Sequence, residues 1–158
     1  MMVRLAVAMT LAVATQSLPF QALLNTTVTS SSAEYYLLRL QKCDASSDWT
    51  IHGLWLQSKE GCGGSFDQSA IKDLASTMDD EWLSCPQYHS SNQAFWSHEW
   101  SEHGSCTGLS EHSFFSKALS LYEAHARECS ANGEALCSIC FDADFRSCGS
   151  VGSTSCSC

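Results

Sequence analysis

Histidines and carboxylates occur in this chain at spacings that suit proton transfer. One short apolar segment contains His52, and a second segment with helical apolar spacing contains four more such groups: His98, Glu99, Glu102 and His103. Residues four apart on a helix lie one above the other, so we expect Glu99 beside His103 and Glu102 beside His98. A carboxylate beside an imidazole orients the ring and raises its pKa. A strand carrying His52 would bring a second imidazole to the same cleft.

Two imidazoles and one carboxylate are sufficient for the cleavage of RNA. The 2′-hydroxyl beside each phosphate is already a nucleophile. An enzyme needs to deprotonate it, protonate the 5′-oxygen leaving group and stabilise the phosphorane. Imidazoles titrate close to neutral pH and suit both proton transfers. DNA lacks the 2′-hydroxyl and cannot react in this way, so the pattern favours RNA as the substrate.

Other chemistries fit the same residues less well. A zincin site needs histidines at i and i+4, whereas His98 and His103 are five apart, about 140° around a helix. Cys137 and Cys140 have the spacing of a zinc half-site or a redox pair, but a cysteine-rich exported chain favours disulfides. We therefore expect no metal and no other cofactor. The remaining histidines are predicted to be solvated surface residues: His89, His112 and His125.

The composition indicates one exported globular domain. The chain has 158 residues, of which 44% are apolar and only 16% are charged, and this argues against disorder. Its net charge of −9 excludes a protein that holds nucleic acid through a generally basic surface, so a polyanionic partner must be bound at a local site. Ten cysteines are several times ordinary usage and are typical of an oxidising compartment.

The first residues predict a signal peptide. A short basic region precedes an apolar run over 5–13, which is too short to cross a bilayer as a helix. We divide the chain into a signal peptide (1–18), one domain (19–148) and a Ser/Gly/Cys-rich tail (149–158). Asn25 begins a glycosylation sequon. We expect a secreted monomer that does not associate with membranes.

Strands before and after a helical middle predict an α+β fold. Apolar runs predict strands over 35–40, 49–55 and 136–141, the second of which runs into a turn at Gly53. Helical spacing predicts helices over about 68–83, 92–103 and 111–127. From residue 147 onward the chain is predicted to be a tail that only disulfides could order.

Two segments resemble the active-site motifs of the ribonuclease T2 family, the secreted and vacuolar acid ribonucleases. Ile51–Trp55 resembles the first motif and Phe95–Cys106 the second, in the same order and at a similar separation. The resemblance covers roughly residues 34–148, and the chain is shorter than the family pattern between Tyr122 and Leu136. It implies a disulfide-stabilised fold with a central antiparallel sheet packed against helices. It also implies a secreted or vacuolar-lysosomal location.

The resemblance implies roles for the site residues. His52 would be the general acid for the leaving group, His103 the general base on the 2′-hydroxyl, and Glu99 would stabilise the phosphorane. His98 would contact phosphate, and Trp55 would stack on a base. Two further positions fall in the substrate-binding part of the motifs: Gln57 and Glu102.

The same resemblance pairs six of the ten cysteines. It implies disulfides that lock the two motif segments together and one near the end of the chain: Cys62 with Cys106, Cys43 with Cys85, and Cys140 with Cys148. The pairing of the other four stays open: Cys129, Cys137, Cys156 and Cys158.

Three positions depart from the family pattern. Glu102 stands where the family has Lys or Arg, Leu56 replaces the usual Pro, and Gln57 replaces the frequent Asp. These departures leave the base preference open. A carboxylate at Glu102 would also favour the protonated form of His103 and so weaken it as a base.

The favoured hypothesis is a metal-independent endoribonuclease that cleaves single-stranded RNA to 2′,3′-cyclic phosphates and then opens them to 3′-phosphates. One alternative is a weak or inactive relative that binds RNA or signals, which Glu102, the acidic charge and the shortened C-terminal half would suit. A second alternative is an extracellular disulfide-stabilised domain without catalysis, against which the intact His52, Glu99 and His103 argue.

Overall fold

The computed structural model describes residues 34–44, 47–87, 90–129 and 134–152, together with Cys156 and Cys158. The predicted signal peptide, the Asn25 sequon and His89 lie outside these residues. All described residues belong to one unit, Ser32–Cys158. Within this part of the chain, no helix has both the length and the apolar content to cross a membrane.

Strands flank three helices in the part of the chain that the structure describes. The elements are β1 (Tyr36–Gln41), β2 (Thr50–Leu56), α1 (Ala75–Glu81), α2 (Asn92–Glu102), α3 (Glu111–His125), β3 (Leu136–Phe141) and β4 (Ser147–Cys148). The strands form one antiparallel sheet in the order β2-β1-β3-β4. The predicted α+β fold is therefore confirmed. The short strand β4 was predicted only as part of the tail.

One face of the sheet forms the base of the hydrophobic core. Alternate residues of β1 point to this face, and Tyr36, Leu38 and Leu40 are all buried. Helical side chains pack in the same cluster: Met78, Phe95, Trp96, Trp100, Phe114, Phe115 and Ala118. The opposite face is polar at its centre, where the Arg39 guanidinium of β1 donates a hydrogen bond to the Ser138 hydroxyl of β3.

A β-bulge in β2 redirects the side chains of that strand. Ile51 and Gly53 lie opposite neighbouring residues of β1, so His52 is an extra residue between them. An extra residue interrupts the alternation of side chains between the two faces of a strand. His52 and Trp55 are three residues apart, yet their rings lie on the same side with centroids 5.3 Å apart.

The predicted turn at Gly53 is wrong, because β2 continues without a break to Leu56. Gly53 is instead a position of close approach inside the strand. A Cβ atom there would overlap Oε2 of Glu99 and Nε1 of Trp55. Glycine inside a strand often allows another group to approach the backbone closely. The residues next to it in the sequence do not distinguish such a glycine from one in a turn.

The predicted helix over 68–83 is two elements rather than one. Asp67 accepts a hydrogen bond from Ser69 N and begins a 3₁₀-helix, Gln68–Ile71, and α1 begins only at Ala75. Ile71, Met78 and Trp82 are all buried, as the apolar spacing indicates. The spacing of apolar residues indicates which side of a segment is buried but does not identify the type of helix. A 3₁₀ turn followed by an α-helix buries nearly the same side as one continuous α-helix.

The second and third predicted helices are confirmed almost to their ends. Ser91 caps α2 by accepting a hydrogen bond from Ala94 N at 3.1 Å. Ser110 caps α3 in the same way, from Ser113 N at 3.2 Å. Both are serines in extended backbone immediately before the helix, which is the usual N-cap arrangement.

All ten cysteines, each of them among the described residues, form disulfides. Two pairs join the motif segments as predicted, Cys43–Cys85 and Cys62–Cys106. The other three are Cys129–Cys137, Cys140–Cys156 and Cys148–Cys158. Cys137 and Cys140 therefore belong to different disulfides, and neither a zinc half-site nor a redox pair is formed between them.

The predicted disulfide between Cys140 and Cys148 is wrong. The two residues are direct neighbours across β3 and β4, but the chain after β4 turns back on itself. Gly149 and Gly152 both have positive φ, and Gly152 N donates to Ser138 O at 2.8 Å. This return brings Cys156 onto Cys140 and leaves Cys148 to pair with Cys158.

Candidate active site

The indole of Trp55 connects the groups that the sequence predicts to act together. Its Nε1 donates a hydrogen bond to Oε2 of Glu99 at 2.9 Å. The ring of His103 is stacked against it at a tilt of 32°, with centroids 5.1 Å apart, and the ring of His52 meets it edge-on. The bulge in β2 and the end of α2 thus bring His52, Trp55, Glu99 and His103 together.

Buried indoles fix the rotation of α2 and hence the direction of Glu99. Trp96 Nε1 donates to Trp82 O at 2.9 Å, and Trp100 Nε1 donates to Ser65 O at 3.0 Å. Both indole rings are buried, and in the sequence Trp96 precedes Glu99 and Trp100 follows it. Because these neighbours face the interior, Glu99 also faces it, and its side chain is only 1% exposed.

The carboxyl group of Glu99 is held mainly in its neutral form at neutral pH. Burial raises the pKa of Glu99 to about 8, while the hydrogen bond from Trp55 acts in the opposite direction and nearby Glu102 raises it further. Oε1 of the same carboxyl lies 3.8 Å from Nε2 of His52. A neutral carboxyl group at this place can donate a hydrogen bond and does not repel an anionic phosphate.

His103 lies immediately after α2 rather than on it. Its backbone N–H still donates to Glu99 O at 3.0 Å, but its φ of −125° and ψ of −49° are not helical. The expected side-chain pair between Glu99 and His103 is therefore wrong. No hydrogen bond or ion pair joins these two side chains in the described part of the structure, and Glu99 contacts Trp55 and His52 instead.

The pKa of His103 is lowered, which is the opposite of the sequence-based expectation. Burial is the largest cause, and the charge of His98 lowers the pKa further, whereas Glu102 and Glu60 raise it by less. Nδ1 of His103 is buried and meets no hydrogen-bond partner among the described residues. A doubly protonated ring would bury an unsatisfied N–H there, so the neutral ring is favoured.

A cavity of about 380 Å³ opens beside His103 and Trp55. The loop that follows β2 forms its other wall: Leu56, Gln57, Ser58, Lys59 and Glu60. The predicted substrate-binding residue Gln57 thus lines the cavity. Lys59 and Glu60 were not predicted as site residues. The sequence signal for them is their charge in the loop that follows the first motif.

The end of α2 holds this loop in place. Gly61 N donates to Glu102 O at 2.8 Å, and Gly63 N donates to Ser101 O at 2.9 Å. The disulfide between Cys62 and Cys106 adds a covalent link between the same two segments. The wall of the cavity is therefore tied to the element that carries Glu99 and His103.

The remaining predicted residues lie at the rim or elsewhere. His98 is exposed and within electrostatic range of His103, and the carboxylate of Glu102 lies against Gly61. His112 is exposed, as predicted, and lies 3.0 Å from the Asp73 carboxylate. His125 is partly buried against Phe141, so its prediction as a solvated residue is wrong.

Comparisons with known proteins match the segments that form this site. The ribonuclease T2 family model matches residues 12–130, about three quarters of the chain. Intracellular ribonuclease LX of Solanum lycopersicum is 44% identical over 81 residues, which are 46% of this chain and 33% of that protein. Human ribonuclease T2 is 37% identical over 86 residues, covering 50% of this chain and 34% of that protein. The chain spans about a third of the length of the curated relatives it matches.

Solved structures resemble the fold described above. The crystal structure of human RNase T2 superimposes with a TM-score of 0.53 and 28% identity, over 58% of this chain and 56% of that chain. Ribonuclease MC1 from bitter gourd seeds gives a TM-score of 0.60 over 75% of this chain and 98% of that chain. Its 20% identity supports likeness of fold alone. A ribonuclease MC1 variant solved in complex with 5′-GMP is 28% identical, with a TM-score of 0.53 over 58% of each chain.

Proposed function

The chain belongs to the ribonuclease T2 family, and from this premise we propose that it is an endoribonuclease that cleaves single-stranded RNA. The observation that carries the proposal is the grouping of His52, Glu99 and His103 around one indole beside an open cavity. The structural relative that binds 5′-GMP supports a nucleotide ligand for this fold.

In the first reaction, His103 acts as the base. Its neutral ring takes the proton of the 2′-hydroxyl, and the 2′-oxygen forms a bond to phosphorus. A protonated His52 gives its proton to the 5′-oxygen as the bond between phosphorus and that oxygen breaks. The neutral carboxyl of Glu99, whose Oε1 lies 3.8 Å from Nε2 of His52, donates a hydrogen bond to the phosphorane. The products are a 2′,3′-cyclic phosphate and a free 5′-hydroxyl.

In the second reaction, the two histidines exchange roles. His52, now neutral, takes a proton from water as the water oxygen attacks phosphorus. His103, now protonated, returns its proton to the 2′-oxygen as the cyclic ester opens. The product is a 3′-phosphate, and both rings return to their starting states.

Substrate contacts are assigned to the residues around the cavity. Trp55 and Gln57 contact a base, and their position in the lining of the cavity supports this assignment. Exposed His98 contributes a contact to phosphate at the rim. Glu102 stands where the family has a cation, so it repels phosphate and limits the rate. The chain acts as a monomer without a metal cofactor.

We place the protein in the secretory pathway, outside the cell or in a vacuolar or lysosomal lumen. The five disulfides support this, since such bonds persist in oxidising compartments and not in the cytosol. The basic and apolar composition of the first 18 residues supports their removal as a signal peptide.

The test is cleavage of a dinucleotide and of polymeric RNA by two variants, His52→Ala and His103→Ala. Each should lower kcat/KM by about 10²–10⁴, because each lacks one proton-transfer group. His112→Ala is the matched control, since this histidine is exposed and pairs with Asp73 away from the cavity. EDTA should leave the rate unchanged. Full activity in either site variant contradicts the mechanism, and RNA binding without cleavage by the wild-type protein favours the inactive RNA-binding alternative.

A further inference from the structure

We propose that Lys59 binds an RNA phosphate beside His103 and so replaces the cation that position 102 lacks. This inference rests on the proposed function, since it assigns a substrate contact in the same cavity. Lys59 and His103 line that cavity together. Among the lining residues of the described chain, Lys59 alone is a lysine or arginine.

The loop geometry keeps Lys59 close to the reacting groups. Lys59 N donates to Leu56 O at 3.3 Å in a turn directly after β2. Two residues later, Gly61 is bound to the end of α2 by a backbone hydrogen bond, and Cys62 is bound there by a disulfide. The flexible part of Lys59 is therefore its side chain, while its backbone is fixed beside α2.

Negative charges surround the place where Lys59 would bind a phosphate. Glu102 lies against Gly61, and Glu60 lines the cavity next to Lys59. The C-terminal end of α2 adds partial negative charge at the same place. His103 favours its neutral form and contributes little positive charge. Besides the two histidines that the mechanism assigns to the phosphate, protonated His52 and exposed His98, Lys59 is the cation that lines this cavity and can offset these charges.

The present partner of Lys59 can be exchanged for phosphate at low cost. Its Nζ lies 4.0 Å from Oε1 of Glu34, and the two side chains are 59% and 48% exposed. An exposed pair at this distance is weak, because solvent screens it and both side chains lose freedom in forming it. A phosphate with two or three acceptor oxygens is a stronger partner for an ammonium group.

The experiment measures binding of a 2′-O-methyl oligoribonucleotide, which cannot be cleaved through its 2′-oxygen. Lys59→Gln should weaken binding about tenfold at low salt and should reduce the slope of log K against log salt by about 0.7, the value for one lost phosphate contact on a single strand. Lys59→Arg should retain both the affinity and the slope. Lys72→Gln is the control, since Lys72 is exposed and does not line the cavity.

A double variant tests whether a cation at position 59 or at position 102 can bind the same phosphate. Glu102→Lys introduced into Lys59→Gln should restore affinity, because it returns a cation to the end of α2. Equal binding and equal salt slopes for Lys59→Gln and Lys72→Gln would overturn the proposal, as would a wild-type protein that does not bind the oligonucleotide. If the wild-type protein cleaves RNA but Lys59→Gln binds the oligonucleotide as tightly as wild type, the role of Lys59 is rejected and the proposed function stands. If Lys59→Gln shows the expected loss of binding but the wild-type protein does not cleave RNA, the proposed function is rejected and the role of Lys59 in binding stands.

Discussion

At the residue scale, Trp55 and Glu99 link the two histidines. Trp55 donates its N–H to Glu99, lies at a tilt against His103 and forms a T-shaped contact with His52. The family resemblance assigns Trp55 a base contact, and the geometry adds a positioning role. Removal of the indole would take one contact away from each of the three groups.

The raised pKa of Glu99 predicts a specific dependence of stability on pH. The folded state holds a proton on Glu99 up to about pH 8, whereas the unfolded chain loses it near 4.5. The stabilising contribution of neutral Glu99 is therefore full below about pH 4.5 and is lost as the pH rises through 8. Glu99→Gln cannot ionise, so its stability relative to wild type should increase by several kcal/mol across this range.

Urea unfolding of both proteins at a series of pH values measures this difference. Other groups titrate in the same range, including His103, but they do so in both proteins and largely cancel. A difference in unfolding free energy that stays constant between about pH 5 and about pH 9 would show that Glu99 is not held neutral by burial.

Glu102→Lys is expected to increase the rate of RNA cleavage. Glu102 raises the pKa of His103, in opposition to burial, so a lysine should extend the activity of His103 as a base to lower pH. The lysine would also stabilise charge on the phosphorane. Profiles of kcat/KM against pH on a dinucleotide provide the measurement. Glu123→Lys changes the charge equally on an exposed face of α3 and serves as the control. An unchanged or lower profile in Glu102→Lys shows that Glu102 does not limit the site.

At the scale of elements, the site depends on the bulge in β2 and on the close approach of α2 to that strand. The bulge places His52 on the same side as Trp55. Gly53 then lets the carboxyl of Glu99 reach the indole across the backbone. The close packing of α2 against β2 therefore depends on the absence of a side chain at Gly53.

Gly53→Ala should therefore displace Glu99 or Trp55. Overpacking of this kind costs about 1–3 kcal/mol in stability. A displacement of about 1 Å at a reacting group can cost about 10²-fold in rate. Gly152→Ala is the control: its Cβ would meet no atom within 4 Å, although its φ of +88° adds backbone strain. Denaturation midpoints and kcat of both variants separate the two effects, and wild-type kcat in Gly53→Ala is the contradictory result.

At the scale of the whole molecule, disulfides hold the C-terminal part of the described chain together. Few residues separate α3 from β3, and the link between them is closed by Cys129–Cys137. After β4, Gly152 donates a hydrogen bond to Ser138 of β3, and disulfides join Cys156 to β3 and Cys158 to β4. Gly152, Cys156 and Cys158 are thus attached to the sheet.

Peptide mapping of the non-reduced protein by mass spectrometry tests this arrangement. Five disulfide bonds are expected, and fragmentation of the linked peptides assigns each of them: Cys43–Cys85, Cys62–Cys106, Cys129–Cys137, Cys140–Cys156 and Cys148–Cys158. A peptide joining Cys140 to Cys148 would refute the return of the tail. Reduction should unfold the protein, because the loss of a native disulfide from a small secreted domain costs about 2–5 kcal/mol.

The residues of the two motifs, the α+β class and two of the helices follow from the sequence by itself. Each depends on residue types and spacings within a short segment, which local geometry converts directly into structure. Cys43–Cys85 and Cys62–Cys106 were predicted from the family resemblance, because the motif segments that they join were recognisable.

Only the tertiary structure decided how these pieces act on one another. The bulge at His52 depends on the pairing of β2 with β1. The close approach of Glu99 to Gly53 depends on where α2 packs. The direction of the His103 pKa shift depends on burial, which outweighs the nearby carboxylates that the sequence displays. The place of Lys59 depends on the loop closed by Cys62–Cys106, and the partner of Cys140 depends on the turn after β4. Each is set by groups far apart in the chain, whose proximity no local spacing encodes.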